Sequence, residues 1–284
     1  MANNGVLYIC ATPIGNLDDI TLRVLKTLKQ VHFIAAEDTR VSIKLLNYYE
    51  ISTPLTSYHH NNRHQKAQYI LKRLKDGQNV ALITDAGLPC ISDPGVELVN
   101  LCYKEGIKVT ICPGASASLS AFVLSGYQAP YVFFGFLPQN NAQKKKAIDM
   151  LKTENSSIII YEAPHRLLKT LKQLNLVMGE RQIAIIRELT KRFEQVQHFS
   201  LSEATEYYSQ NTARGEFVLV LKQIEGQPKL PESLTDKELI QLIRQFISKG
   251  CTEKEAIKAA ANQTTTPKRK VYEVYKIKNK FIEG

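Results

Sequence analysis

Residues 79–95 read Asn-Val-Ala-Leu-Ile-Thr-Asp-Ala-Gly-Leu-Pro-Cys-Ile-Ser-Asp-Pro-Gly, and their character changes within one position. Val80, Ala81, Leu82 and Ile83 make a short apolar run of the kind that forms a buried parallel strand. Thr84, Asp85, Ala86 and Gly87 follow directly and are small or acidic. Pro89 stiffens the loop, and Asp93-Pro94-Gly95 makes a second turn before a helical pattern starts. In an open α/β sheet, ligands bind in the crevice outside the carboxyl ends of the strands. Small residues there admit a ligand to the backbone, and a carboxylate accepts hydrogen bonds from hydroxyls or an amine. Asp, Gly and Pro are also common turn formers, so this stretch alone reads equally as a ligand loop or a plain strand-to-helix connection.

The same alternation recurs along the first half. A strand over 6–11 ends in Thr12-Pro13-Ile14-Gly15-Asn16, and Leu22, Leu25 and Leu28 then recur at helical spacing. The loop lacks the G-x-G-x-x-G of a dinucleotide fold, which counts against a nicotinamide oxidoreductase. A strand over 32–36 ends in Glu37-Asp38-Thr39-Arg40, either a cleft wall or an acidic helix start favoured by the macrodipole. Further strands around Leu55, over 80–83 and over 108–111 alternate with helices over 62–76 and 96–105, which predicts a mostly parallel sheet. The last of these strands runs into Cys112-Pro113-Gly114-Ala115-Ser116-Ala117-Ser118, a small-residue loop opening a helix whose first N–H groups are free for an acceptor.

The pattern breaks around 126–130, where a second domain is expected. Strands over 131–136, 157–161, 182–187, 195–199 and 216–221 alternate with helices over 144–152, 166–177 and 202–209. Because the last strands lie close together, this sheet should be mixed and partly antiparallel. Tyr161-Glu162-Ala163-Pro164-His165-Arg166 and Arg187-Glu188-Leu189-Thr190-Lys191 close two of its strands.

Residues 222–234 read as a linker. Three helical signals follow: Thr235 with Glu238 and Thr252 with Glu255 as capping boxes, then Thr266-Pro267 starting a third helix. Lys268-Arg269-Lys270 fall in its first turn, an arrangement like helix-turn-helix modules that bind nucleic acid through phosphate contacts; a small helical dimerisation module is the alternative. Charge agrees with the first option. The chain carries 37 Lys and Arg against 27 Asp and Glu, a net +10, and residues 236–284 hold eleven basic and six acidic side chains. A basic tail points to a polyanion, nucleic acid first. No apolar run approaches a bilayer span and the start lacks a signal-peptide pattern, so a cytoplasmic location is expected. Five cysteines without C-x-x-C spacing give neither a disulfide framework nor a zinc site, and the cluster His59, His60 and His64 lacks a completing ligand, so no metal is expected.

Taken together, several stretches resemble one known family, in this order: Thr12-Pro13-Ile14-Gly15-Asn16-Leu17, Ala36-Glu37-Asp38-Thr39-Arg40, Thr84-Asp85-Ala86-Gly87 with Ser92-Asp93-Pro94-Gly95, Pro113-Gly114-Ala115-Ser116-Ala117, Phe134-Gly135-Phe136-Leu137-Pro138, Arg187-Glu188-Leu189-Thr190-Lys191 and Gly215-Glu216-Phe217-Val218-Leu219. The set, spanning about residues 6–221, is similar to the ribosomal RNA small subunit methyltransferase I family of the tetrapyrrole methylase superfamily. Leu88 departs from it, standing where the family usually has Thr. The resemblance implies two α/β domains of the class III methyltransferase type, 1–117 and 118–223, and a basic helical RNA-binding domain over 235–284. It implies S-adenosylmethionine in the interdomain cleft and 2′-O-methylation of a cytidine in the decoding centre of 16S rRNA, by a homodimer acting on the small ribosomal subunit. The pattern places the donor against Pro13, Asp85, Ala86, Gly87, Ile91, Ser116 and Ala117, with Tyr161, Leu189, Phe217 and Val218 from the second domain. A base must relieve the ribose hydroxyl of its proton. Glu188 and then Asp38 are the expected candidates, with Arg40, Arg166, Arg187, Lys191, Lys268, Arg269 and Lys270 holding phosphates. The rival readings are a tetrapyrrole methyltransferase on the same fold, or an RNA-binding protein without catalysis.

Overall fold

The computed structural model describes residues 4–224, 235–248, 251–264 and 266–278, so most of the expected linker at 222–234 lies outside the described residues. The chain divides into two compact units, Met1–Gln223 and Ile224–Gly284. Both expected α/β domains fall within the first.

The first sheet contains β1 (Leu7–Cys10), β2 (Phe33–Ala36), β3 (Leu55–Ser57), β4 (Val80–Ile83) and β5 (Val109–Cys112) in the order β3-β2-β4-β1-β5. Every pairing is parallel, as the alternating pattern predicts. The connecting helices are α1 (Leu22–Gln30), α2 (Thr39–Tyr48), α3 (Arg63–Lys75) and α4 (Val96–Lys104). β4 explains why a strand in this position must be apolar at every residue. Val80 and Leu82 pack with Ile70, Leu74, Leu98 and Cys102 of α3 and α4, while Ala81 and Ile83 pack with Val24, Leu28 and Leu46 of α1 and α2. Covered on both faces, a parallel strand has no solvent side on which to place polar residues.

The second sheet follows α5 (Ala117–Ser125) and contains β6 (Tyr131–Phe136), β7 (Ser157–Glu162), β8 (Gln182–Arg187), β9 (Gln195–Ser200) and β10 (Phe217–Leu221), in the order β6-β7-β10-β8-β9. β6 and β7 run parallel; β10 is antiparallel to β7 and β8, and β8 to β9. The period-two alternation sorts its residues cleanly. Ile158, Ile160, Ile183, Ile185 and Leu219 face α6 (Asn141–Lys152), α7 (Pro164–Met178) and α8 (Leu201–Gln210). Ile159, Ala184, Ile186, Val218 and Val220 face the other way, toward Ala121 of α5 and Ile14 from the loop after β1. Ile14 therefore joins the two sheets through a shared apolar cluster.

A buried ionic group ties the helices of this half to the sheet. The Glu162 carboxylate, fully buried at the end of β7, pairs with Arg166 at 3.1 Å and lies 3.9 Å from Lys144, whose side chain is 3% exposed. Lys144 donates to the Thr170 hydroxyl at 2.5 Å, and Thr170 in turn donates to Glu162. Truncating one member of such a group strands its partners without water.

The second unit has its own core. Leu239, Ile240 and Ile243 of α9 (Asp236–Ser248) pack with Ala256, Ile257 and Ala260 of α10 (Glu253–Gln263), and with Val271 of α11 (Lys268–Glu273), which continues into a π-helical turn, Val274–Lys278. Both expected start signals are used: Glu238 N–H donates to Thr235 Oγ1 at 3.4 Å while Thr235 N–H donates to Glu238 Oε2 at 2.8 Å, and Thr252 N–H donates to Glu255 Oε2 at 2.9 Å.

Replacing Glu162 by Ala should lower the unfolding free energy by about 3–5 kcal/mol, because Lys144 and Arg166 would remain buried without their counter-ion. Urea denaturation of the two proteins measures this, and an unchanged midpoint would show that the group contributes nothing to the fold.

Candidate active site

The carboxyl edges of β1 and β4 are tied together by a reciprocal backbone bridge. Thr12 N–H donates to Gly87 O at 2.8 Å and Gly87 N–H returns to Thr12 O at 3.1 Å, while the Thr12 hydroxyl donates to Thr84 O at 3.0 Å. The loop that follows β4 folds back at Gly95, whose φ of 145° favours glycine; a β-carbon there would collide with the Cys90 sulfur. Cys90 itself has φ 71°. Across the cleft, Glu188 and Thr190 have φ 52° and 64° in the loop after β8. Three non-glycine residues in this conformation, on the two loops facing each other, mark backbone held against its local preference at a cleft.

Between these loops lies a cavity of about 350 Å³. From the first sheet's side it is lined by Ala86, Gly87, Ile91, Ser116 and Ala117, and from the second sheet's side by Tyr161, Leu189, Phe217 and Val218. Nine of the eleven residues that the family pattern assigned to the donor are thus brought to one wall or the other. Two of that set do not touch the cavity. Pro13 is buried behind the Thr12–Gly87 bridge, and its neighbour Ile14 takes the lining position. Asp85 turns toward the loop after β2, where its Oδ1 accepts from Asp38 N–H at 3.1 Å. Leu88 also lines the cavity, so the position that departs from the family pattern faces any ligand held there.

Sequence reasoning did not assign Phe136, Ile186, Ser92, Asp93 or Glu162 to the lining, although all five border the cavity. Phe136 and the Ser92-Asp93 pair sat inside quoted motifs, and that was the available signal. Glu162 stood in the quoted strand-end stretch Tyr161–Arg166, whereas Ile186 carried no signal, because only the strand register turns it toward the cleft.

The electrostatics of the two walls differ. The first sheet supplies carboxylates: Glu37, whose Oε2 accepts from the Thr84 hydroxyl at 2.6 Å, Asp85 and Asp93. Burial, then the charge of Glu37, pushes the Asp93 carboxyl up to about 6, with Asp85 adding in the same direction and the Thr84 hydroxyl opposing. Burial also raises Asp85. At the same mouth, Ser116 makes no side-chain cap for α5 and instead hydrogen-bonds Ser118 at 3.2 Å, while Tyr161 from the facing wall engages Ser118.

The two carboxylates expected to act as base are both committed elsewhere. Asp38 caps α2 through Arg40 N–H at 2.8 Å and grips the Arg40 guanidinium at 2.7 Å, and that guanidinium holds its carboxyl down at about 2. Glu188 accepts from Glu216 N–H at 2.9 Å and from Lys191 at 3.0 Å, which together lower its carboxyl below the usual range. A carboxylate stabilised in its charged form is a poor proton acceptor, and neither residue lines the cavity.

The expected phosphate-binding cations need a similar correction. Arg166 points inward to Glu162 and to Leu137 O at 2.6 Å, so it is part of the core. Arg187 donates to Arg214 O at 2.6 Å and to Gln195 at 3.2 Å, and Lys191 bridges Glu188 and Glu216 at 3.0 and 3.1 Å. Arg40 keeps its side chain 89% exposed despite its pairing. Lys268, Arg269 and Lys270 are all exposed on α11. Among the described residues, no group of three or more His, Cys, Asp or Glu is placed to hold a metal ion, and no helix is long and apolar enough to cross a membrane.

Comparison with known proteins agrees with this architecture. Residues 6–205 match the family model described as Tetrapyrrole (Corrin/Porphyrin) Methylases. A protein of Bacillus subtilis named ribosomal RNA small subunit methyltransferase I is 46% identical, over 96% of this chain and 95% of its own length. A protein of the same name from Synechocystis is 44% identical over 95% and 97% respectively. Among solved structures, uroporphyrin-III C-methyl transferase from Thermus thermophilus, complexed with S-adenyl homocysteine, aligns with a TM-score of 0.54 at 16% identity, covering 77% of this chain and 97% of that one, and so shares the fold. With a family model over most of its length and relatives this similar from end to end, the chain belongs to the ribosomal RNA small subunit methyltransferase I family of tetrapyrrole methylases.

Proposed function

We propose that this protein transfers a methyl group from S-adenosylmethionine to the 2′-hydroxyl of a cytidine in the decoding centre of 16S rRNA, acting as a cytoplasmic homodimer on the small ribosomal subunit. The observation that carries the reading is the near-complete coverage of relatives named for this reaction class, at up to 46% identity. The cytidine and its ribose oxygen follow from the family resemblance of the ordered motifs.

The cavity fits the donor. Its volume of about 350 Å³ is in the range of small-molecule sites. Ile14, Leu88, Ile91, Ile186 and Val218 give apolar walls for an adenine ring, and the start of α5 at Ser116 and Ala117, without a side-chain cap, suits a carboxylate. When bound, S-adenosylmethionine supplies an already activated methyl group on a sulfonium. The chain's task is then to align an acceptor hydroxyl and exclude water, and positioning alone is worth several kcal/mol of barrier, within roughly 7–11 at the upper end.

An RNA acceptor is supported by what lies next to the cavity. Ile14 and Leu189 line the cavity, and the residues directly after them, Gly15 and Thr190, line a neighbouring groove with Asn16, Tyr48, Lys191 and Arg192. Tyr48 is 60% exposed, and the Arg192 guanidinium sits 5.6 Å from the centre of the exposed Phe193 ring. Exposed aromatic and guanidinium planes are what unpaired bases stack on. The second unit contributes the exposed Lys268, Arg269 and Lys270 for phosphates. A homodimer is supported by Ile111 on edge strand β5 and by Leu119 and Val123 on α5, which leave apolar surface uncovered.

The deciding experiment is radiolabelled methyl transfer to 30S subunits that lack their native modifications. Incorporation that protects the phosphodiester after one cytidine from alkali supports the assignment; donor binding without transfer would redirect the search to tetrapyrrole acceptors. Within this scheme, Ala117→Phe should cut donor affinity at least about tenfold by filling the cavity while leaving the thermal midpoint near wild type, as calorimetric titration would record. Replacing Lys268, Arg269 and Lys270 together by Ala should weaken 30S binding and reduce the slope of log K against log salt by roughly 2–3, with donor affinity unchanged.

A further inference from the structure

The acceptor hydroxyl must lose its proton, and the two carboxylates that the motifs nominated are held in ion pairs away from the cavity. We propose that Asp93 is the proton acceptor for methyl transfer in the cleft. The inference rests on the methyltransferase reading above and names the residue that completes it.

Three observations converge on this residue. Asp93 lines the cavity, on the loop that Gly95 folds back against Cys90, so its position is fixed by backbone geometry. It stands on the first sheet's wall while Tyr161 lines the wall opposite, and the two are close enough for the Asp93 charge to raise the tyrosine. A group there borders the space in which donor methyl and acceptor oxygen would meet. The groups that act on it are Glu37 after β2, Asp85 after β4 and the Thr84 hydroxyl; its own charge acts on the Cys90 thiol of its loop, and the carboxylates of Glu162 and Glu216 line the same cavity from the second sheet's side. Burial among like charges is the setting that turns an ordinary carboxylate into a base. With its carboxyl near 6, Asp93 is ionised at neutral pH yet retains far more proton affinity than Glu188 or Asp38, both of which are shifted the other way.

The step balances. The acceptor oxygen forms the new O–CH3 bond as the S–CH3 bond breaks and its electron pair stays on sulfur, and the hydroxyl proton passes to an Asp93 carboxylate oxygen, then to solvent after product leaves. Substrate charge and product charge differ by the lost sulfonium, and the released proton accounts for it.

The alternative occupant of Asp93 is the donor's own cationic end, and the test separates the two. Turnover is measured on unmodified 30S subunits at saturating donor from pH 5 to 8.5, alongside donor affinity by calorimetry. For the wild-type protein, kcat should rise about tenfold per pH unit below about 6 and level off above it. Asp93→Asn should lose that step and fall by roughly 10²–10⁴-fold in kcat, with donor Kd within about threefold of wild type. Asp93→Glu should recover part of the loss, and Glu37→Gln should move the step to lower pH by removing a like charge. An Asn variant with undiminished turnover, one that keeps the pH step, or one whose loss appears as weakened donor binding overturns the assignment. A wild-type protein that binds donor but transfers nothing to RNA would instead overturn the methyltransferase reading, so the two failures are distinct.

Discussion

The reciprocal bridge between Thr12 and Gly87 holds the first sheet's half of the cleft in register. It joins two loops that are 75 residues apart in sequence, and the Thr12 hydroxyl adds a third bond to Thr84 O. With these loops fixed, Ile14 projects into the apolar cluster of the second sheet, packing with Ile186, Leu189 and Val218. The same bridge presents Ala86 and Gly87 to the cavity and leaves Asp85 free to receive the Asp38 N–H. Backbone bonds between loops are suited to this, since they do not depend on side chains that a ligand would compete for. One local constraint thus determines both how the two sheets meet and what lines the space between them.

Charge is sorted around that space with a clear division. The carboxylates of Glu37, Asp85 and Asp93 gather on the first sheet's side, where burial and mutual repulsion raise Asp85 and Asp93. The cations of the second sheet's side are held by other partners: Lys191 by Glu188 and Glu216, Arg166 by Glu162, Arg187 by a carbonyl and a glutamine. A cationic donor entering such a cleft meets negative charge on one wall and neutralised pairs on the other. Exposed positive charge appears instead at the surface, on Arg40 in its pair with Asp38 and on the helix α11, where a polyanion reaches it without desolvating a buried group.

Much of the fold was legible because its signals are local. The apolar run Val80–Ile83, the helical spacing of Leu22, Leu25 and Leu28 (although Leu22 is exposed and Val24 takes the buried position), and the capping residues Thr235 and Thr252 each report on their own few neighbours. The parallel order of the first sheet and the mixed order of the second followed from how helices and strands alternate. The donor part of the candidate site was legible as a set of motifs, and nine of its eleven residues line one cavity, while the expected bases and cations do not. What the motifs did not convey was the partner of each charged residue. Glu188 and Lys191, three positions apart, look equally available in the sequence, yet they meet in an ion pair with Glu216 from a distant turn.

The sequence by itself determined the element order, the small-residue loops at the strand ends and the basic character of the last fifty residues, because periodicity, turn chemistry and net charge are carried by neighbours in the chain. Only the tertiary structure decided which carboxylates are buried without a cation and which are paired on the outside. Asp93 and Asp38 are the same residue type in similar strand-end loops, and they differ by several units in proton affinity. The reason is that solvent exclusion and the distance to other charges depend on the whole packed surroundings, which no short stretch of chain specifies.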